Sequence, residues 1–388
     1  MTRCRSLRNP AGASRPNRKI RSHLEEVSKR MSRKGVFAIL ALTGLLATVI
    51  TSFAAETNTV RNVIDQYASL AKSAEQRGSM TVPGKEGWLF FGPELRFVSA
   101  GPFWGKTAAK VSKATKPEFA DPLPAIIDFH GQLKKMGVEL LMVPVPPKSV
   151  IYPDFLSEAL TISREKPPVR IDAATQEFYR LLRKEGIAVL DLTPFFLENR
   201  FHRDGALFCK QDTHWSGNGA VLAAGKIHEA IRERPWLKAI PKNDYRSAWN
   251  PVTIEGDLWK ALGDKKLSRE VLPVRRVGTG SPASLKPIAP DLKSPVLLVG
   301  DSHNLVFHAG EDMQARDAGL PDQLALEMGV PVDLAGVRGS GATPARVNLL
   351  RRAQRDPNYW KTKKLVIWCF AAREFTQSDG WKKVPLLP

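Results

Sequence analysis

The sequence predicts an α/β/α three-layer domain with a mostly parallel sheet, preceded by one N-terminal transmembrane helix. Three observations lead there. Short apolar runs rich in β-branched residues recur at 138–145, 187–192, 296–299, 332–337 and 365–370, and continuous rather than alternating hydrophobicity marks strands buried on both faces. Helical patterns at 123–135, 173–184, 219–234, 322–328 and 344–352 lie between or beside them, the alternation that builds parallel sheets through right-handed crossovers. Residues 35–55, GVFAILALTGLLATVITSFAA, form a charge-free run of 21 residues, which at about 1.5 Å per residue can cross a bilayer core of about 30 Å.

Along the chain, residues 1–34 carry eleven Lys and Arg against Glu25 and Glu26 and read as a disordered cytoplasmic tail. That tail holds nearly half of the net charge of +19, so the high isoelectric point is weak support for nucleic-acid binding. Arg30, Arg33 and Lys34 precede the apolar run and no basic residue follows until Arg61, which keeps the N-terminus inside and exports the rest. Ser52-Phe53-Ala54 offers the small residues a signal peptidase reads, but the run is long for a cleaved signal, which favours an uncleaved anchor. Spaced apolar residues Val60, Ile64, Tyr67 and Leu70 predict a stalk or first helix over 56–80. The globular domain, 81–388, opens with a Gly-, Pro- and aromatic-dense stretch typical of a hairpin, and residues 239–290, rich in Lys, Pro and Gly, read as an insertion. A chain 43% hydrophobic and 25% charged is neither disordered throughout nor a multi-span transporter. Cys209 and Cys369 would be exported together, either as a disulfide or as two buried small side chains.

Chemistry concentrates at two places. The run 296–299 leads into Gly300-Asp301-Ser302-His303, a small-residue turn at the C-terminal end of a buried strand, where open α/β sheets present reactive groups. Ser302 is the candidate nucleophile; the plainer reading is a helix cap. In Asp212-Thr213-His214-Trp215, residues i and i+2 project to one side. A serine hydroxyl needs a base to take its proton, and an imidazole serves best when a carboxylate holds its other nitrogen. Trp215 would floor the pocket, stack on a sugar or pack in the core. The negative charge of an acyl-transfer transition state needs donors aimed at it. The Ser302 amide and the loop Arg338-Gly339-Ser340-Gly341 are candidates, with Arg338 and Arg373 as cations at strand ends. A metal cluster of Asp212, His214, His303 and His308 is disfavoured, because His303 and His308 do not share a helical face and no HExxH pattern occurs. His308 reads as a helix-surface residue.

Five motifs in order resemble the alginate O-acetyltransferase AlgJ/AlgX family, whose catalytic domains are SGNH-hydrolase-like. They are Gly84-Lys85-Glu86-Gly87-Trp88-Leu89-Phe90, then Val143-Pro144-Val145-Pro146-Pro147-Lys148 with Tyr152-Pro153, Asp212-Thr213-His214-Trp215, Gly256-Asp257-Leu258, and Gly300-Asp301-Ser302. The resemblance implies a Ser302–His214–Asp212 triad, an acetyl-serine intermediate and acetyl transfer to an exported polysaccharide, alginate or a similar exopolysaccharide. It implies a periplasmic site anchored in the inner membrane, no cofactor, and a membrane-bound O-acyltransferase as acetyl donor. The chain ends fifteen residues after Arg373, which places it nearer the AlgJ-like arrangement, without the C-terminal carbohydrate-binding module of AlgX-like members. The competing functions are a polysaccharide acetyl esterase with the same triad and a non-catalytic polysaccharide-binding protein.

Overall fold

A computed structural model describes residues 56–387 together with His23, Glu26, Lys29 and Arg30. The chain divides into two compact units at Asn58/Thr59. In the first, His23, Glu26, Lys29 and Arg30 are helical and exposed. The expected membrane segment, 35–55, and most of the basic tail lie outside the described residues. No helix among the described residues is long and apolar enough to cross a membrane.

The strands of the second unit are β1 (Thr81–Pro83), β2 (Leu89–Phe91), β3 (Glu139–Val145), β4 (Ala188–Val189), β5 (Arg246–Thr253), β6 (Val271–Ser281), β7 (Ser284–Lys286), β8 (Val296–Gly300), β9 (Asp333–Gly336) and β10 (Leu365–Ala371). Five of them make the central sheet in the order β4-β3-β10-β8-β9, every pair parallel. All residues of β8 and β10 are buried, and so are all of β3 except Glu139. Side chains alternate between the faces of a strand, so complete burial means that both faces are covered. Among the covering helices, Pro122–Lys135 packs on β3, Ala173–Lys184 on β4 and Thr343–Arg355 on β8 and β9. Pro144 is tolerated in β3 because β4 is two residues long and pairs only with Leu141 and Met142, which leaves the rest of that strand side open.

The sequence patterns and the observed helices differ mainly at their ends. Gly217–Ile231 starts two residues earlier than the pattern because Ser216 caps it, its Oγ accepting from the Gly219 amide at 3.1 Å. Residues 59–76 are helical and turn Val63, Tyr67, Ala71 and Ala74 into the core. The Tyr67 hydroxyl donates to the Ser149 carbonyl at 2.8 Å. This helix is therefore part of the domain's packing, and its buried face includes two alanines that a search for large apolar residues passes over. Within 239–290, β5, β6 and β7 form an antiparallel sheet, with a short helix at Asp257–Leu262. β5 has no buried residue, which explains the weak hydrophobic pattern there. Cys209 and Cys369 are free and buried. They fill the core, and the Cys209 thiol donates to the Trp215 carbonyl at 3.4 Å.

Candidate active site

Ser302 stands where β8 ends. Asp301 caps the short turn Ser302–Asn304, its Oδ1 accepting from the His303 amide at 2.9 Å. Asp301 Oδ2 accepts from the Ala371 amide at 2.7 Å, and Asn304 Nδ2 donates to the Cys369 carbonyl at 2.8 Å. The turn is thus bonded to the end of β10, the neighbouring strand.

The facing wall is the segment 209–214. Asp212 Oδ1 accepts from the His214 amide at 3.0 Å and pairs with His214 Nδ1 at 2.6 Å, and His214 Nε2 lies 2.7 Å from Ser302 Oγ. Asp212 and His214 are buried, whereas Ser302 is half-buried. The carboxylate, imidazole and hydroxyl are connected in series, with the hydroxyl nearest solvent. Burial disfavours the His214 imidazolium, but the Asp212 charge and hydrogen bond outweigh it and hold its pKa above the ordinary histidine value. Burial likewise opposes the Asp212 carboxylate, and the His214 charge and hydrogen bonds hold its pKa far below the usual range.

Long-range contacts fix this segment. Lys148, 1% exposed, donates to the carbonyls of Cys209 at 3.0 Å, Asp212 at 2.7 Å and Lys210 at 3.4 Å, so its three ammonium protons face three acceptors. Glu270 accepts from the Lys210 and Gln211 amides at 3.0 and 3.1 Å. Asp257 donates its amide to Asp212 Oδ2 at 3.1 Å, while its carboxylate takes the Thr213 amide at 2.8 Å and the Thr213 hydroxyl at 2.6 Å. At Gly256 a Cβ would overlap the Gln211 carbonyl, so the backbone approach that brings Asp257 to Asp212 requires glycine. Lys148 and Asp257 stood in motifs visible in the sequence without a role attached. Gln314, whose Nε2 reaches Asp212 Oδ2 at 3.2 Å, carried no sequence signal.

Ser302 and His214 open on a cleft of about 670 Å³ that Gly339, Arg373, Arg96 and Lys113 also line. Gly339, with φ +98°, is exposed and lines the same cleft as Ser302. Gly341 is buried instead, where a Cβ would come within 2.9 Å of the Asp301 amide nitrogen; it packs against the turn that carries Ser302. Behind this loop Ser340 donates to Glu374, whose carboxyl burial raises to about 7. Arg373 reaches the cleft with its guanidinium over the Phe91 ring at 5.3 Å. Arg338 does not line the cleft: it turns outward to an exposed pair with Asp312 at 2.8 Å. Trp215 is fully buried and meets the His303 ring edge-on at 5.3 Å, so it supports the site from within the core and cannot stack on a sugar.

Of the four residues weighed as a metal cluster, Asp212 and His214 pair with each other, His303 lies beside the His214 ring at 4.8 Å, and each of the two remaining histidines has a carboxylate partner of its own. His303 is buried, pairs with Asp301 at 3.2 Å, and has its pKa lowered by burial to about 4. His308 pairs with Asp322 at 2.9 Å and is largely buried rather than a surface residue. Asp212, His214 and Asp257 do bring ligand atoms within 4.8 Å of one another. Their carboxylates are already engaged by the amides and side chains described above, an arrangement that suits a hydrogen-bonded relay better than an ion.

A model of the SGNH hydrolase-like domain of acetyltransferase AlgX matches residues 81–372. A probable alginate O-acetylase AlgJ of Pseudomonas aeruginosa is 29% identical over 50% of this chain and 43% of its own length. The AlgJ of Pseudomonas syringae pv. tomato is 25% identical over 75% of this chain and 68% of its own. The solved O-acetyltransferase domain of Pseudomonas putida AlgJ shares the fold, with a TM-score of 0.55 at 20% identity over 77% of this chain and 92% of that domain.

Proposed function

The chain belongs to the family of SGNH hydrolase-like AlgX acetyltransferase domains, and from that premise we propose that it transfers acetyl groups to hydroxyls of an exported polysaccharide, alginate or a similar polymer. The observation that carries the chemistry is the 2.7 Å contact between His214 Nε2 and Ser302 Oγ, with Asp212 behind the imidazole. Ser302 Oγ attacks the carbonyl carbon of an acetyl ester while His214 takes its proton. The ester C–O bond breaks, the leaving oxygen receives that proton, and acetyl-Ser302 remains. A sugar hydroxyl then attacks the acetyl carbon, His214 takes the hydroxyl proton, and Ser302 Oγ departs and is reprotonated. The Ser302 amide and the backbone of Gly339, which lines the same cleft, are the donors we assign to the oxyanion. The donor is an acyl-carrying membrane-bound O-acyltransferase, which suits a domain exported to the periplasm behind the segment 35–55 and anchored in the inner membrane.

Attack requires neutral His214, so acylation of Ser302 is expected to rise with pH through a midpoint above 6.5, because Asp212 holds the imidazolium. In Asp212→Asn, burial acts without that charge. The midpoint should fall below 6.5 and the plateau rate by about 10³- to 10⁴-fold. A pH profile of Ser302 acylation checks both, and an unmoved midpoint contradicts the relay.

Transfer is separated from hydrolysis by supplying the exported domain with an activated acetyl ester, with and without a polyuronate oligosaccharide. The expected result is acetylated sugar, with ester consumption accelerated by the acceptor. Ester loss indifferent to sugar, with no acetylated product, would make the protein an esterase; no ester loss and no labelling of Ser302 would make it a binding protein.

A further inference from the structure

Between Ser302 and the helix Leu320–Met328 the chain makes an irregular excursion with four non-glycine residues at positive φ: Phe307, Glu311, Gln314 and Asp317. Three of them have φ of 55–61°. Gln314 differs. Its φ of 72° and ψ of −52°, with the Ala315 amide bonded to the Met313 carbonyl at 2.9 Å, define the strained positive-φ form of the γ-turn. Glycine would make this turn without a side-chain clash.

The side chain supplies a reason for the strain. Gln314 Oε1 accepts from the Glu255 amide at 3.1 Å, which fixes the orientation of the carboxamide, since an N–H can face only the oxygen. Nε2 is thereby aimed at Asp212 Oδ2 at 3.2 Å and at the Glu255 carbonyl at 3.1 Å. Asp212 then receives two donors on each oxygen: the His214 amide and ring on Oδ1, and the Asp257 amide and Gln314 on Oδ2. The two on Oδ2 oppose rotation of the carboxylate about its Cβ–Cγ bond and keep Oδ1 in line with His214 Nδ1. Gln314 also belongs to the stretch that leaves Ser302, so its bond ties the nucleophile's own loop to a carboxylate 102 positions before Gln314 in the chain.

We propose that Gln314 is a positioning residue, held in a strained turn so that its carboxamide locks the Asp212 carboxylate in register with His214 and Ser302. The role rests on the acetyl-transfer reading only for its acetylation readout. The experiment compares Gln314→Gly with the parent in three measurements: melting temperature, kcat and KM for acetyl transfer, and the rate at which a sulfonyl fluoride labels Ser302. Glycine relieves the backbone strain and deletes the amide. The expected result is a melting temperature equal to or above the parent's, with kcat and labelling rate both about tenfold lower and KM unchanged. Unchanged kcat and labelling would overturn the proposal. So would a fall in activity that tracks a fall in melting temperature, because that marks a merely structural turn. Labelling reports the activation of the Ser302 hydroxyl whatever the acceptor, so a failure of acetyl transfer in the parent protein leaves this test intact.

Discussion

Ser302→Ala should fold as the parent does and lose acetyl transfer by about 10³-fold or more. The hydroxyl is half-buried, and its oxygen bonds to His214 Nε2. Removing it therefore leaves one imidazole nitrogen facing the cleft, where water can replace the bond, and the stability change should be within about 1 kcal/mol. The turn that carries residue 302 is held by Asp301 and Asn304 through their contacts with β10, not by the serine side chain. On the proposed mechanism the chemistry, in contrast, has no route left: without Oγ no acetyl-enzyme forms, and His214 has no hydroxyl to activate except the acceptor's. Adding His214→Ala to Ser302→Ala should cost little more, because the two groups act as one unit. Polymer acetyl content and thermal melting of the purified variant check the result, and undiminished acetylation in a folded variant would reject Ser302 as the nucleophile.

The central sheet was legible in the sequence because its strands are buried on both faces, so β3, β8 and β10 read as unbroken apolar runs. The hairpin of β1 and β2 that opens the domain was legible too, but the antiparallel strands of 246–286 were not. β5 lies largely at the surface and β6 mixes exposed and buried positions, so neither gives a clean period. Within the site, the residues marked by a local sequence pattern could be found: Asp212 and His214 through their i, i+2 spacing, and Ser302 through the strand-end turn. What could not be found depends on chain segments meeting from a distance. Lys148 is a surface residue by type and becomes a buried strut only because 209–212 folds over it. Arg338 and Arg373 look alike as cations just past strands, and only the loop carrying Asp312 decides that Arg338 turns away while Arg373 faces the cleft. His308 looked exposed on helical grounds, and Asp322 takes it inward.

The largest effect on folding is expected at Gly300, the residue that ends β8. Its φ is +154°, and an added Cβ would overlap the Cys369 carbonyl oxygen, lie 2.6 Å from the Cys369 carbonyl carbon and stand 2.7 Å from Asn304 Nδ2. Cys369 is its partner in the ladder of the middle strand, β10, so the obstacle is backbone fixed by pairing on both sides, since β10 also pairs with β3. Relief requires separating β8 from β10 where Asn304 also bonds the Cys369 carbonyl. Gly300→Ala should therefore cost more than about 4 kcal/mol, a large part of the total stability of an ordinary domain, and leave little soluble protein. Gly339→Ala is the matched comparison. It has φ +98° but nothing within 4 Å of the added carbon, so only backbone strain opposes it, at about 1 kcal/mol. Denaturant unfolding of the two variants separates the causes: if Gly300→Ala were no worse than Gly339→Ala, the nucleophile turn would not pass beneath the carbonyl of β10. The glycine of the Gly-Asp-Ser motif is thus required before any chemistry begins, because the turn can present Ser302 to His214 only by leaving β8 closer to the neighbouring strand than a side chain allows.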